Sequence, residues 1–402
     1  MTKGARIALP LALPIALAAG VAIGTWHVLP RLTAMAFIIR VAKQGGVLGH
    51  LAKLAAHEIH EGPIVAMPSR HGLIDTRLYR PVRPARRTTI LVPGVHMDGI
   101  NEERLVGLAR ELAASGLQVL TVAPPDLTRY RVTSNSTDEL EDAIAWAAGQ
   151  PALAPDGRVG ITAFSFSGGL ALVAAGRPAV HDRVAFAFSF GGHGDLPRVL
   201  RYLCEGSTAP VDAQARELAT GGEHIHIPKP HDYGAVVALL NLADRVVPAE
   251  QVAGLESGIT LFLQASSIDR FDAAKAAEVF ARARQLGEAL PEPARTLMGY
   301  VNQRDVARLG QALSPLIANL DLPDGLSPER SPPATAPVFL LHGADDSVVP
   351  ASEMLSLVRK LQNTTKVRAF ASQLITHAEA NRGAALAEMW SLSGFWQALL
   401  AQ

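Results

Sequence analysis

The segment from residue 158 to residue 169, RVGITAFSFSGG, decides the fold. It begins with a β-branched, apolar run typical of a buried strand and continues through small residues into an alanine-rich helical pattern. Ser165 lies at the junction, where a sharp strand-to-helix turn requires small residues two positions before and two positions after it. Ala163 and Ser167 meet this requirement. The segment therefore predicts a nucleophile elbow, a turn that presents the Ser165 hydroxyl at the N-terminus of a helix.

Short apolar runs alternate with helical patterns from Thr88 onward, which indicates βαβ units. Signals at helix ends agree with this reading: Gly116 follows one helical pattern as a C-cap, and Ser136 with Glu139 opens the next as a capping box. The predicted strands cover residues 88–92, 117–122, 158–163, 184–190, 338–341 and 367–372. The sequence therefore predicts an α/β fold with a mostly parallel central sheet flanked by helices.

Residues 195–336 interrupt this alternation, because their apolar residues recur at helical spacing without a convincing strand. An insertion at this position is expected to form a lid over the crevice where open α/β sheets bind ligands. The predicted organisation is a hydrophobic segment over 1–30, a helical linker over 31–73, a core over 74–194 and 337–402, and a helical lid between the two parts of the core.

A serine hydroxyl is a weak nucleophile at neutral pH, so Ser165 requires a base and the base requires an orienting acid. On this kind of sheet the expected order along the chain is serine, acid, histidine. His377 is the only histidine after the last predicted strand and is the candidate base. Asp345 and Asp346 follow the penultimate strand and are candidates for the acid, while Asp195, after an earlier strand, is the alternative.

These features resemble the α/β-hydrolase superfamily, in particular esterases and dienelactone-hydrolase-like members. Residues 343–350, GADDSVVP, are similar to the GxxDxxVP turn of that superfamily, and the similarity assigns the acid to Asp346. Residues 77–81, RLYRP, resemble the start of such members. The resemblance covers roughly residue 74 to the C-terminus apart from the insertion. It implies a serine esterase with Ser165, Asp346 and His377 as its triad, and it requires neither a metal nor an organic cofactor.

An oxyanion hole requires two backbone N–H groups, one from the residue after the nucleophile and one from the loop after the first strand of this series. The resemblance assigns these donors to Phe166 and Val95. Residues 93–96, PGVH, stand where many members carry His-Gly, which is a departure from the family pattern. His96 is interpreted either as a residue that lines the same pocket or as one that supports the turn.

Two further groups of histidines are weighed as metal ligands. His224, His226 and His231 lack a cysteine or a suitably spaced carboxylate, and they are interpreted as lid residues. His57 and His60 miss the HExxH spacing by one residue and are interpreted as part of a solvated helix face. No metal site is therefore predicted.

Residues 7–29 contain no formally charged side chain and have about the 20 residues that cross a bilayer core. This segment is interpreted as an uncleaved membrane anchor, as an export signal cleaved near the small residues 16–18, or as a buried apolar helix. The predicted location is accordingly the membrane, or the exterior of the cell after cleavage. Residues 32–54 are expected either to lie along the membrane surface or to pack on the domain as an ordinary amphipathic helix.

Composition narrows the class of function. The 402 residues include 37 Lys and Arg against 37 Asp and Glu, and without a basic excess no nucleic-acid partner is predicted. The single cysteine, Cys204, excludes an intrachain disulfide. The reading that fits best is hydrolysis of a lipophilic, small-molecule carboxylic ester. The alternatives are acyl transfer by the same triad and a non-catalytic, membrane-tethered binding protein with the same fold.

Overall fold

A computed structural model describes residues 28–208, 213–269, 271–374 and 382–402, with side chains from residue 387 onward in the last range. Its centre is an eight-stranded sheet in the order β1-β2-β4-β3-β5-β6-β7-β8. The strands are β1 Ile59–Ser69, β2 Gly72–Pro81, β3 Thr88–Val92, β4 Gln118–Val122, β5 Val159–Phe164, β6 Val184–Phe190, β7 Val338–Gly343 and β8 Val367–Ser372. Strands β3 to β8 are parallel, whereas β1 and β2 form an antiparallel hairpin that joins β4.

Helices cover both faces of this sheet. They are α1 (residues 28–41), α2 Gly46–Leu54, α3 Glu103–Ala114, α4 Pro125–Thr128, α5 Ser134–Ala148, α6 Phe166–Gly176, α7 Leu196–Glu205, α8 Ala213–Leu218, α9 Asp232–Asn241, α10 Ala243–Val246, α11 Ala249–Ile268, α12 Ala273–Ala289, α13 Ala294–Gln303, α14 Val306–Ala318, α15 Ser352–Leu361 and α16 Arg382–Leu400. Helices α1, α3 and α16 pack on one face, while α5, α6 and α15 pack on the other. The six predicted strands are confirmed to within two residues, and this architecture is the α/β-hydrolase fold.

Alternating side chains along the central strands form two apolar cores. In β7, Val338 and Leu340 belong to the core beneath α5 and α6, while Phe339 and Leu341 belong to the core beneath α3 and α16. Successive side chains of a strand point to opposite faces, so a parallel strand covered on both sides is apolar throughout. This burial on both faces explains why continuous apolar runs in the sequence predicted these strands.

The N-terminal part of the chain corrects two predictions. Residues 28–41 and 46–54 are helical, but β1 and β2 occupy residues 59–81, so the predicted helical linker is wrong over its second half. His57 precedes β1 and His60 lies within it, so the interpretation of these two residues as a helix face is also wrong. Pro63 and Pro68 conceal the strand pattern of β1, and proline is tolerated there because β1 is an edge strand.

The described residues between β6 and β7 form eight α-helices, α7 to α14, in agreement with the predicted helical character of the insertion. Its role as a lid remains a prediction. Thr220 of this insertion forms a single β-bridge with Phe370 of the outer strand β8. Within the described ranges, no helix has the length and the apolar character needed to cross a membrane.

A buried ionic network joins the start of the insertion to the core. Glu353 of α15 is fully buried and accepts hydrogen bonds from the backbone N–H groups of Gly194 and Asp195, both at 3.0 Å. Arg198 of α7 donates to Glu353 at 2.5 Å and to Glu329 at 2.5 Å. Burial alone would lower the pKa of Arg198, but its hydrogen bonds to Glu329 and Glu353 raise that pKa above its ordinary value.

We expect Glu353→Ala to lower the free energy of unfolding by about 3–5 kcal/mol, because it removes one of the two carboxylates that bind Arg198 and leaves the buried N–H groups of Gly194 and Asp195 without an acceptor. The measurement is urea unfolding followed by circular dichroism. Glu278→Ala, on the exposed face of α12, is the matched control and should change stability by less than about 0.5 kcal/mol. Equal stability of the two variants would show that the network contributes nothing to holding α7 on the core.

Candidate active site

The turn between β5 and α6 holds Ser165 in an uncommon backbone conformation. Its φ and ψ are 54° and −136°, a combination that residues with a Cβ rarely adopt. Its N–H donates to the carbonyl of Phe190 at 2.7 Å, and its carbonyl accepts from the N–H of Gly168 at 2.8 Å. The sharp strand-to-helix turn expected from the sequence is therefore present, with a half-buried Ser165 at its tip.

Small residues around this turn allow close packing. Ala163 and Ser167 are fully buried, and a Cβ added to Gly168 would lie 2.5 Å from the hydroxyl oxygen of Ser189. The Ser167 hydroxyl lies 2.5 Å from the carbonyl oxygen of Pro93 and 2.6 Å from that of Phe164. Ser167 thus links the turn to the loop after β3. The sequence had indicated only its small size, and nothing local to it signals the contact with Pro93.

The loop over residues 93–96 passes beside the Ser165 side chain, since a Cβ added to Gly94 would lie 3.5 Å from the Cβ of Ser165. Val95 in this loop is buried, and its carbonyl accepts a hydrogen bond of 3.2 Å from the hydroxyl of Tyr233. Phe166 is the first residue of α6, so its N–H has no partner within that helix. Both candidate oxyanion donors therefore belong to segments that meet at Ser165.

Asp346 lies in the turn after β7, and one of its oxygens is fixed by the backbone. Its Oδ1 accepts from the N–H groups of Val348 at 2.9 Å and Val349 at 3.1 Å. Its Oδ2 lies 3.4 Å from the point where a Cβ on Gly191 would be. Gly191 directly follows Phe190, the residue whose carbonyl binds the Ser165 N–H, so Ser165 and Asp346 face the same loop.

The other two candidate acids have different surroundings. Asp195 caps α7 through Oδ1, which accepts from the Arg198 N–H at 2.9 Å, and its Oδ2 accepts from Arg330 at 2.7 Å. Both of its oxygens thus serve the junction between the core and the insertion. Asp345 has one buried oxygen, Oδ1, without a hydrogen-bond partner among the described residues.

His377 lies outside the described residues, as does the rest of 375–381. The chain before it is held in place, because the Glu388 carboxylate of α16 accepts from the Ser372 hydroxyl at 2.5 Å and from the Gln373 N–H at 2.9 Å. Ser372 ends β8 and pairs with Gly343 of β7. The chain therefore leaves β8 next to the turn that carries Asp346.

A segment of the insertion, residues 226–233, joins the acid turn to the loop beside Ser165, and we call it the strap. The backbone N–H groups of His226 and His231 donate to the carbonyls of Ala344 and Ser347, each at 2.9 Å. At its other end, the Tyr233 hydroxyl holds the Val95 carbonyl. Nothing in the sequence pattern indicated that the strap contacts both parts of the site.

Two buried rings lie beside the site, and nothing in the sequence pattern indicated their contacts. The Tyr202 hydroxyl donates to the Pro228 carbonyl of the strap at 2.9 Å, and burial together with the negative charge of Asp346 raises the pKa of Tyr202. His193, in the loop between β6 and α7, is fully buried against α6, and a Cβ on Gly169 would lie 2.4 Å from its ring. Burial lowers the pKa of His193.

Several solved structures are similar to this chain at low sequence identity. No protein-family model matches the chain, and no curated protein sequence matches it. An acylaminoacyl peptidase from Pyrococcus horikoshii is 12% identical, with 87% of this chain and 42% of that chain covered and a TM-score of 0.39. A hyperthermophilic esterase from the archaeon Pyrobaculum calidifontis is 13% identical, with 98% and 100% covered and a TM-score of 0.40. Brefeldin A esterase, a bacterial homologue of human hormone sensitive lipase, is 12% identical, with 86% and 78% covered and a TM-score of 0.41.

The chain spans less than half the length of the acylaminoacyl peptidase that it matches. At these levels of similarity the solved structures carry no information on the reaction. The fold itself follows from two properties of this chain, the strand order of its sheet and the turn at Ser165.

The conformation of Ser165 leads to a prediction on stability. Ser165→Gly should be more stable than Ser165→Ala by about 1 kcal/mol, because the release of backbone strain exceeds the entropy that glycine loses on folding. Chemical denaturation of the two variants measures this difference. The matched pair is Ser257→Gly and Ser257→Ala on the exposed face of α11, where glycine should be the less stable by roughly 1 kcal/mol. The same sign at both positions would contradict a strained turn.

Proposed function

We propose that this protein is a serine hydrolase that cleaves carboxylic esters of lipophilic small molecules through an acyl-enzyme on Ser165. The observation that carries the proposal is the strained turn of Ser165 at the start of α6, with the loop over residues 93–96 beside its side chain. A strained turn persists only where the surrounding structure enforces it, and such turns concentrate at reactive sites.

In the proposed reaction, His377 accepts the proton of the Ser165 hydroxyl while Oγ attacks the ester carbonyl. The N–H groups of Phe166 and Val95 stabilise the oxyanion of the tetrahedral intermediate. His377 then gives the proton to the departing alcohol, which leaves an acyl group on Ser165. Water repeats the sequence with His377 as base, and the products are the carboxylic acid and the free serine.

Asp346 is proposed to orient His377 and to stabilise its imidazolium. The two backbone hydrogen bonds to Oδ1 support this role, because they fix the carboxylate plane and leave Oδ2 to face the loop next to Ser165. Asp195 is the weaker candidate, because both of its oxygens already bind the Arg198 N–H and Arg330.

The aromatic residues that flank Ser165 in the sequence support an apolar substrate. Phe164 directly precedes Ser165, and its half-buried ring lies 5.4 Å from the half-buried ring of Phe190 in an edge-to-face arrangement. We also propose that residues 7–29 attach the protein to a membrane, where lipophilic esters partition. Residues 7–27 of that segment lie outside the described residues, so this part of the proposal rests on its uncharged sequence.

We expect Ser165→Ala to reduce kcat for p-nitrophenyl esters by several orders of magnitude and to abolish labelling by a fluorophosphonate probe, because it removes the nucleophile. A series of acyl chain lengths measured with the unaltered protein would define the preferred substrate. Ser257→Ala, far along the chain on an exposed helix face, is the control and should be labelled normally. Full turnover by Ser165→Ala in a folded protein would refute the mechanism.

Asp346→Asn should lower kcat by orders of magnitude with little change in KM, because an amide neither holds His377 in the productive tautomer nor stabilises its positive charge. Asp345→Asn and Asp195→Asn are the matched controls and should retain most of kcat. Steady-state kinetics on one soluble ester compares all three. A large loss in Asp195→Asn with a small loss in Asp346→Asn would move the acid to the end of β6.

A further inference from the structure

Helix α2 exposes its large apolar side chains and buries its small residues, the reverse of what is expected for a helix that packs on a domain. Its buried residues are Gly49 and Ala52, which are small. Its large apolar side chains are exposed: Val47 by 77%, Leu48 by 64%, Leu51 by 56% and Leu54 by 72%. A surface helix of a water-soluble domain ordinarily directs such residues to the core. The reversed arrangement in α2 therefore requires another explanation.

The four exposed side chains form one continuous stripe. At about 100° per residue, positions 47, 48, 51 and 54 fall within an arc of roughly 120°, and neighbours three or four residues apart touch along the helix. Exposed apolar side chains that occur singly are common, but a contiguous stripe marks a surface for a partner or a membrane. We call these four residues the α2 stripe.

The orientation of α2 is fixed by the domain. The buried guanidinium of Arg40 donates to the carbonyl of Ala52 at 3.0 Å and pairs with Glu111 of α3 at 2.6 Å. It also donates to the Ser115 hydroxyl at 2.8 Å. Arg40 thus links the Ala52 carbonyl of α2 to Glu111 and Ser115 at the end of α3, while the α2 stripe is exposed.

Charge around the stripe identifies the partner. Lys43, in the turn before α2, and His50, on the flank of the stripe, are exposed, whereas Lys53 is exposed on the opposite side of the helix. The first 57 residues contain six Lys and Arg and no Asp or Glu, so their formal charge is +6. The rest of the chain contains 31 Lys and Arg and 37 Asp and Glu, so its formal charge is −6. A basic, apolar helix surface matches an anionic lipid bilayer, whose headgroups attract lysine and whose acyl region accepts leucine.

We propose that the α2 stripe docks on an anionic lipid surface, with Val47, Leu48, Leu51 and Leu54 at the boundary between headgroups and acyl chains and with Lys43 among the phosphates. The contact is peripheral, because α2 is nine residues long and lies along the surface. It is separate from the chemistry at Ser165 and from any attachment through residues 7–29. It would keep the domain in a fixed orientation on the membrane.

The test places an environment-sensitive fluorophore on the full-length protein. In a Cys204→Ala background, Leu51→Cys carries the label on the stripe. Leu73→Cys is the matched control: it is 70% exposed and lies in the hairpin at the far end of β1, whose 11 residues span roughly 35 Å. Both variants retain residues 7–29, so attachment through that segment acts equally on the two labels.

With vesicles of equal parts phosphatidylcholine and phosphatidylglycerol, the label at position 51 should shift to shorter emission wavelengths. It should also be quenched by nitroxide groups at shallow acyl positions, while the label at position 73 stays in water. Lys43→Gln should weaken the shift at position 51. Leu48→Gln should likewise weaken it, and neither change should alter hydrolysis of a soluble ester.

Two results would overturn the proposal. One is a label at position 51 that remains in water while the protein is bound to the vesicles. The other is a label at position 51 that is already shielded before lipid is added, which would show that the stripe is covered by another part of the chain or by a second copy. The docking test does not depend on Ser165. A negative result in it therefore does not contradict the proposed hydrolase function, and an inactive protein can still be tested for docking.

Discussion

The backbone conformation of Ser165 is the constraint on which the rest of the site depends. Its positive φ is maintained by two hydrogen bonds, from its own N–H to Phe190 and from Gly168 to its carbonyl. Strand β5 has parallel partners on both sides, β3 and β6, so the turn begins from a rigid strand. Ala163 and Gly168 are small enough for the strand, the helix and the loop after β6 to approach one another. The strain at Ser165 is thus balanced by packing over many residues.

The insertion is a structural part of the site. Its strap binds the turn of Asp346 through two backbone N–H groups and binds the loop beside Ser165 through the Tyr233 hydroxyl. Tyr202, also in the insertion, holds the strap itself through the Pro228 carbonyl. The two halves of the site come from separate parts of the core sequence, and these contacts add to the pairing of β5, β6 and β7 that already joins them.

Buried polar groups determine what each acidic side chain at this edge can do. The Glu353 carboxylate accepts hydrogen bonds from the N–H groups of Gly194 and Asp195 and from Arg198. The Asp195 carboxylate caps α7 and accepts a hydrogen bond from Arg330. These carboxylates stabilise the junction between core and insertion. Asp346 differs, because its backbone partners engage only Oδ1 and its other oxygen faces the loop that binds the Ser165 N–H. Glu353, Asp195 and Asp346 are all acidic residues at this edge of the sheet, and their hydrogen-bond partners are what distinguish them.

The sequence by itself determined the six parallel strands, the helical character of the insertion and the turn at Ser165, because burial on both faces and small residues at a sharp turn leave local patterns. It did not determine the hairpin of β1 and β2, since Pro63 and Pro68 are compatible with an edge strand but disguise its alternation. Only the tertiary structure decided that Ser167 binds Pro93, 74 residues away, and that Tyr233 binds Val95, 138 residues away. Contacts between residues so distant along the chain have no periodicity, and they exist only once the sheet and the insertion have packed together.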